Sequence, residues 1–187
     1  MIRTRLKGRL MSFDFHDLDD RTRELMLKEV EDDLASGTLF LSGRLNPHGK
    51  AQWPDLLKWA CQVGDEAALA LELGRTGGTM IQPEEVSHRV DGTPFLRRVP
   101  GNAAVVLAEG EFNRFYIRAL CIRAIADGVD LEIYRARYSA NPASTRRLGE
   151  FVDPVAVLKD LRSRPGVELA LALPPHPNSG ISVKLVT

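Results

Sequence analysis

The chain of 187 residues is 44% hydrophobic and 27% charged, enough apolar material for a hydrophobic core in one domain or two small ones. Its 25 Lys and Arg equal its 25 Asp and Glu, which excludes a polybasic coat or an acid-tailed protein at the level of the whole chain. Two cysteines, Cys61 and Cys121, exclude a disulfide scaffold, and no apolar run is long enough to cross a bilayer.

Residues 1–11 read as a basic N-terminal extension, with Arg3, Arg5, Lys7 and Arg9 and no acid. A signal peptide would continue into an apolar stretch, but Ser12-Phe13-Asp14-Phe15-His16-Asp17 follows. Two readings stay open: an upstream extension with Met11 as the initiator, or a flexible arm that touches phosphate or an acidic neighbour. Both fit a cytoplasmic protein whose thiols stay reduced.

Residues 12–75 are expected to be mainly helical. A helix over 18–36 has Leu18, Leu25, Met26, Val30 and Leu34 as its apolar stripe and Gly37 as its stop. Asp19, Asp20, Glu24, Glu29, Glu31, Asp32 and Asp33 make its other faces an acidic, solvated surface. A short strand over 38–42 and a type I turn at Asn46-Pro47-His48-Gly49 are expected next. Pro54 suits the first turn of a helix that buries Leu56, Leu57, Trp59, Ala60 and Val63 and ends at Gly64. Asp65 caps a further helix over 66–73, closing an αα-hairpin. The connection is too tight for a DNA-reading helix-turn-helix, and the second helix carries Glu66 and Glu72 with no base.

Residues 76–101 read as a turn-rich loop or β arm, with β-like pieces over 79–81 and 95–99 and a local excess of base at Arg89, Arg97 and Arg98. Just before it, Gly74-Arg75-Thr76-Gly77-Gly78-Thr79 lacks the Lys-Ser/Thr ending of a phosphate loop and reads as a turn.

Residues 102–187 form the α+β part. The strongest helix covers 103–126. Phe112, Phe115, Tyr116, Ala119, Ile122 and Ala126 share one face, while Cys121 and Ile125 lie opposite, near Arg114 and Arg118. A helix apolar on nearly all sides sits either at the centre of its domain or between subunits. After Gly128 come a strand over 131–138, a helix from Asp153-Pro154 to about residue 164, and strands over 167–173 and 181–185. The expected fold is α+β. Its N-terminal helices, including the αα-hairpin, pack with a small mixed or antiparallel sheet around the central apolar helix as one co-folded domain.

Chemistry-bearing residues are scattered. His16, His48, His88 and His176 stand in separate loops with no metal-ligand spacing, and neither a metal nor a cofactor is expected. His176, Asn178 and Ser179 form a candidate loop site, although a rigid turn explains the same residues and the Gly-x-Ser-x-Gly frame is missing. Both cysteines fall on buried helix faces, the alternative being a Cys121 thiol activated by Arg114 and Arg118. Asp130 and Glu132 lack the lysine of a nuclease motif and are expected to pair with arginines of the preceding helix. Arg114, Arg118, Arg135, Arg137, Arg146 and Arg147, joined by Arg123, suggest planar bidentate partners. They are candidate contacts to carboxylates of another subunit or to phosphates, with the acidic first helix a ready partner inside the chain or from the next copy.

At Glu109 to Gly128, together with Pro174-Pro175-His176-Pro177-Asn178-Ser179-Gly180, the C-terminal half resembles a family of uncharacterised proteins carried on phage and prophage segments. The resemblance implies a virion or mobile-element component and adds no functional residue. The leading expectation is a non-enzymatic structural or interaction protein in a homo- or hetero-oligomer, cytoplasmic or in a virion, with no membrane partner. The alternatives are a nucleic-acid-binding accessory protein of a defence or mobile-element system, using Arg3, Arg5, Arg9, Arg146 and Arg147, and a small enzyme around His176 and Ser179 or Cys121.

Overall fold

The first helix, α1 (Asp20–Ser36), starts where the Asp19 side chain accepts the Thr22 N–H and stops at Gly37, whose φ of 70° is the left-handed conformation a C-cap needs. Its inner face buries Met26 and Val30 along with Thr22, Glu29 and Asp33. The expectation of a uniformly solvated acidic surface is therefore corrected at Glu29 and Asp33. The computed structural model describes residues 12–75, 79–138, 146–163, 173–174 and 179–186.

The next helix, α2 (Pro47–Val63), begins at Pro47, and Pro54 lies inside it. The expected turn over 46–49 is in fact the helix start. Asn46 accepts the Gly49 N–H at 2.7 Å as N-cap, and Pro47 occupies the first turn, where a missing N–H costs nothing. No strand forms over 38–42. That segment is held by the Trp53 indole N–H, which donates to the Phe40 carbonyl at 3.0 Å, and Leu45 then bridges Ile81. Gly64 closes α2, and Asp65 accepts the Ala68 N–H at 2.7 Å to open α3 (Glu66–Leu73), completing the αα-hairpin.

Strands β1 (Glu84–His88) and β2 (Pro94–Arg98) pair antiparallel as a hairpin, so residues 84–98 take the β-arm form. The long helix α4 (Ala103–Asp127) follows and ends at Gly128 in the left-handed conformation. Every residue over 111–121 is buried, with α1, α3 and α5 (Pro154–Ser163) packed around α4. The all-round apolar pattern of α4 thus belongs to the centre of one chain. Phe112, Tyr116, Ile117, Ala119 and Leu120 are fully buried there. Burying each such large apolar side chain is worth on the order of 1.5–3 kcal/mol.

Strands β3 (Asp130–Arg135) and β4 (Ile181–Val186) form a second antiparallel pair, with Leu131 opposite Leu185 and Ile133 opposite Val183. Among the described residues the fold is α+β, with five helices, of which α4 is central, and two small antiparallel sheets. The strand expected over 167–173 lies outside the described residues except at Leu173. Beyond Arg135 the N–H groups of Ala136 and Arg137 turn to the Gly180 carbonyl, at 2.9 and 3.1 Å, which ends the ladder. Gly180 has φ 68°, and a Cβ there would stand 2.0 Å from the Arg137 carbonyl oxygen. Gly180→Ala is expected to destabilise by about 1–3 kcal/mol through strain at this crossing, read as a lower urea midpoint. An unchanged midpoint would show that the crossing relaxes freely.

Among the described residues no helix is long and apolar enough to cross a membrane. Even α4 carries Glu109, Glu111, Arg114, Arg118 and Arg123 along its length.

Candidate functional site

The arginines of the central region are largely spent inside the fold. Arg118 is 1% exposed; its Nε donates to Glu29 at 2.6 Å and its two Nη atoms donate to Asp33 at 2.7 and 2.9 Å. Arg162 of α5 holds the same Glu29 carboxylate from the other side, and the Arg118 guanidinium lies over the Phe115 ring at 4.9 Å. Arg114 is buried too, with Nη1 reaching the Leu161 carbonyl and Nε 3.5 Å from Glu111. These positions correct the expectation for Arg114 and Arg118. Both are closed to a second subunit or a phosphate because folding has already supplied their carboxylates and carbonyls.

Arg137 donates to Glu109 at 2.7 Å, Arg147 to Glu150 at 2.8 Å and Arg123 to Asp19 at 2.8 Å. Arg135 is half-buried, and Arg146 is exposed. The acidic first helix is indeed the partner of several arginines, and the contact is made within the chain. Glu132 pairs with Lys184 across the sheet at 3.3 Å, not with an arginine of α4, while Asp130 is exposed at the strand start.

His176 and Asn178 of the candidate loop site lie outside the described residues. Ser179 is buried, and its Oγ accepts the Ile181 N–H at 3.3 Å, a turn-closing role. Both cysteines are buried, and burial pushes each thiol up to about 12. For Cys121 the nearby Asp153 adds to that rise and the Arg162 guanidinium only offsets part of it, so the activated-thiol alternative does not hold.

The structure assembles another cluster that spacing did not reveal. Residues 12–17 lie as a strap across α3, α4 and β3. The Ser12 hydroxyl and the Phe13 N–H both donate to Glu66 Oε1, at 2.8 and 2.6 Å. The Asp14 N–H donates to the Ala136 carbonyl, and the Tyr134 hydroxyl donates to the Asp14 carbonyl at 2.6 Å. Phe13 and Phe15 stack with ring centres 5.1 Å apart, Phe15 leans on Phe112 and Tyr116, and Arg137 sits over Phe13 at 5.4 Å. Between strap and α3 lies a cleft of about 450 Å³ whose lining includes Ser12, Phe13, Phe15, Arg23, Asp65 and Glu66.

Two buried carboxyl groups, Glu66 and Glu109, lie behind this strap close enough to repel each other. Burial raises Glu66 above the ordinary carboxylate range, against the pull of its two strap donors. Burial also pushes Glu109 up to about 7, helped by repulsion from Glu66 and opposed by Arg137. The sequence held one sign of this cluster: Glu109 is an acid on the helix that its apolar pattern marks for burial, and an acid buried there needs a partner. Among the described residues no group of three His, Cys, Asp or Glu side chains could hold a metal ion.

The β1–β2 hairpin is the other exposed feature. Its base is tied by Glu85, which receives Arg44 at 2.7 Å and Arg97 at 2.9 Å. Its outer face pairs Val86 with Leu96, 62% and 65% exposed, and Val90 at the tip is wholly exposed. Comparison of the chain with protein-family models, curated proteins and solved structures finds no match.

Proposed function

We propose that this protein is a non-enzymatic structural or interaction protein that works in an oligomeric assembly, of the kind that phage and prophage particles are built from. The β1–β2 hairpin carries this reading. An isolated two-stranded ribbon is marginal in water, yet here it holds an apolar pair, Val86 and Leu96, outward with no core behind it among the described residues. A surface of this kind gains by docking on another molecule, and its unpaired strand edges offer main-chain hydrogen bonds as well.

The proposed occupant is a second copy of the chain. Arg89 and Arg98 are exposed on the arm, while Asp20, Glu24, Glu31 and Asp32 are exposed on α1, so a head-to-tail contact would bring opposite charges together. Of the arginines on which the nucleic-acid alternative rests, Arg147 is paired with Glu150 at 2.8 Å within the chain.

The test is native mass and negative-stain imaging of the purified protein over a range of concentrations. A defined oligomer or ring is expected. The paired variant Val86→Glu with Leu96→Glu should convert it to monomer while the circular dichroism spectrum stays unchanged. A wild-type protein that is monomeric at high concentration overturns the reading.

A further inference from the structure

The strap over 12–17 is fastened at both ends, and the two fastenings differ in kind. Toward its far end the His16 N–H donates to the Tyr134 hydroxyl at 3.4 Å and the Asp17 N–H to the Tyr116 hydroxyl at 3.2 Å. There the Asp17 carboxylate also accepts the Leu185 N–H of β4 at 3.0 Å. Ser12 and Phe13, at the near end, are held by a buried acid. Both donate to Oε1 of Glu66, a residue 2% exposed whose Oε2 is buried with no hydrogen-bond partner. Glu109 of α4, also buried, repels Glu66 and receives Arg137, whose guanidinium lies against the Phe13 ring at 5.4 Å.

We propose that the strap is a pH-operated latch: residues 12–14 stay docked while the pair of Glu66 and Glu109 holds a proton, and they lift from α3 when both carboxyls are ionised, with Asp17 as the fixed end. Two ionised carboxylates repel each other strongly where Ser12 and Phe13 keep water out, and Oε2 of Glu66 has no donor to offset its charge. Lifting the near end lets water reach Glu66 and screens that repulsion. Burial raises Glu66 above the ordinary carboxylate range, with Asp65 adding to the rise, and it pushes Glu109 up to about 7. The docked state therefore binds protons that the lifted state releases, so docking is strongest at low pH and weakens as pH rises through about 7. The other charges nearby do not reverse this sign. Arg137 opposes the rise of Glu109 without cancelling it, and Arg23 is engaged by the Cys61 and Gly64 carbonyls at 3.0 Å. Burial raises the Tyr116 and Tyr134 hydroxyls, which stay neutral throughout. His16 stands 3.8 Å from Asp14, on the strap itself, with its ring on Tyr134. Lifting Phe13 uncovers Tyr134 and Ala136, the buried residues it packs with. This latch stands apart from the assembly reading and rests on different residues.

The experiment measures amide hydrogen exchange of the full chain at pH 5.5 and pH 8, each rate divided into the free-chain rate at the same pH. The Phe13 and Asp14 amides, which donate to Glu66 and to the Ala136 carbonyl, report the near end; Ile117 and Leu120, fully buried in α4, report global unfolding. Protection of the strap amides is expected to fall at least tenfold from pH 5.5 to pH 8 and to end well below that of α4. The double variant Glu66→Gln with Glu109→Gln keeps an oxygen for Ser12 and Phe13 and one for Arg137, and circular dichroism checks its fold. Its strap protection should stay within twofold between the two pH values. His16→Asn should respond to pH as wild type does. Wild-type strap protection that is unchanged with pH, or equal to that of α4 at pH 8, overturns the latch. So does a response that persists in the double variant or disappears in His16→Asn.

Discussion

Arg118→Leu is expected to destabilise the protein by about 3–5 kcal/mol, enough to lower the soluble yield as well as the urea midpoint. Leucine removes the cation that bonds Glu29 and Asp33 at once and leaves two carboxylates on the inner face of α1 facing apolar surroundings, with Arg162 alone to serve Glu29. Arg118→Lys should recover only part of the loss, because an ammonium cannot present the three donors the guanidinium aims at two acids. Pairing Arg118→Leu with Asp33→Leu should cost less than the two single changes added together, since each single change strands the other's charge. An Arg118→Leu protein within about 1 kcal/mol of wild type would show that the network is no more than a surface pair.

The same network adds to the acid sensitivity of the fold. Burial pushes Glu29 up, but the guanidinium groups of Arg162 and Arg118 more than reverse this, so Glu29 is held below its ordinary value of 4.5 in the folded state. A carboxylate with a lowered folded value contributes stability that is complete above its unfolded value and is lost as pH falls through the folded one. Protonating Glu29 therefore weakens the contacts of α1 with both α5 and α4.

How much of this was legible follows from where the partners lie. Helix α4 could be read because its signal is local: Phe112, Phe115, Tyr116 and Ala119 share a face within two turns, and Gly128 follows. The caps Asp65 and Gly37 were legible for the same reason. The start of α2 was misplaced because Asn-Pro-x-Gly serves a type I turn and a helix N-terminus through the same backbone geometry. Glu29 and Asp33 looked solvated because a single helix cannot reveal that its acidic side meets an arginine 85 to 89 positions away. The cluster of Ser12, Phe13, Glu66, Glu109 and Arg137 is drawn from four separate stretches, so no spacing rule could collect it. The zero net charge is likewise a sum of unlike parts that folding matches pairwise: Arg118 with Asp33, Arg123 with Asp19, Arg21 with Asp127.

Glu109 is expected to work in the opposite direction from Glu29. Its carboxyl is raised from 4.5 to about 7, so the folded protein holds a proton that the unfolded chain has already released. Wild-type stability should therefore fall as pH rises from about 4.5 to about 7 and level off above that, a loss of about 3 kcal/mol from this group. Glu109→Gln keeps an acceptor for Arg137 and has no proton to lose, so its stability should be flatter over that window and exceed wild type at pH 8. Urea midpoints at pH 5 and pH 8 read the difference directly. The two neighbours fix the sign independently. Glu66→Gln removes a repelling charge and should move the Glu109 window to lower pH, whereas Arg137→Gln removes the attracting one and should move it higher. If both variants move the window the same way, or if wild type and Glu109→Gln share one pH profile, the carboxyl behind the strap is solvated and the cluster holds no proton at neutrality.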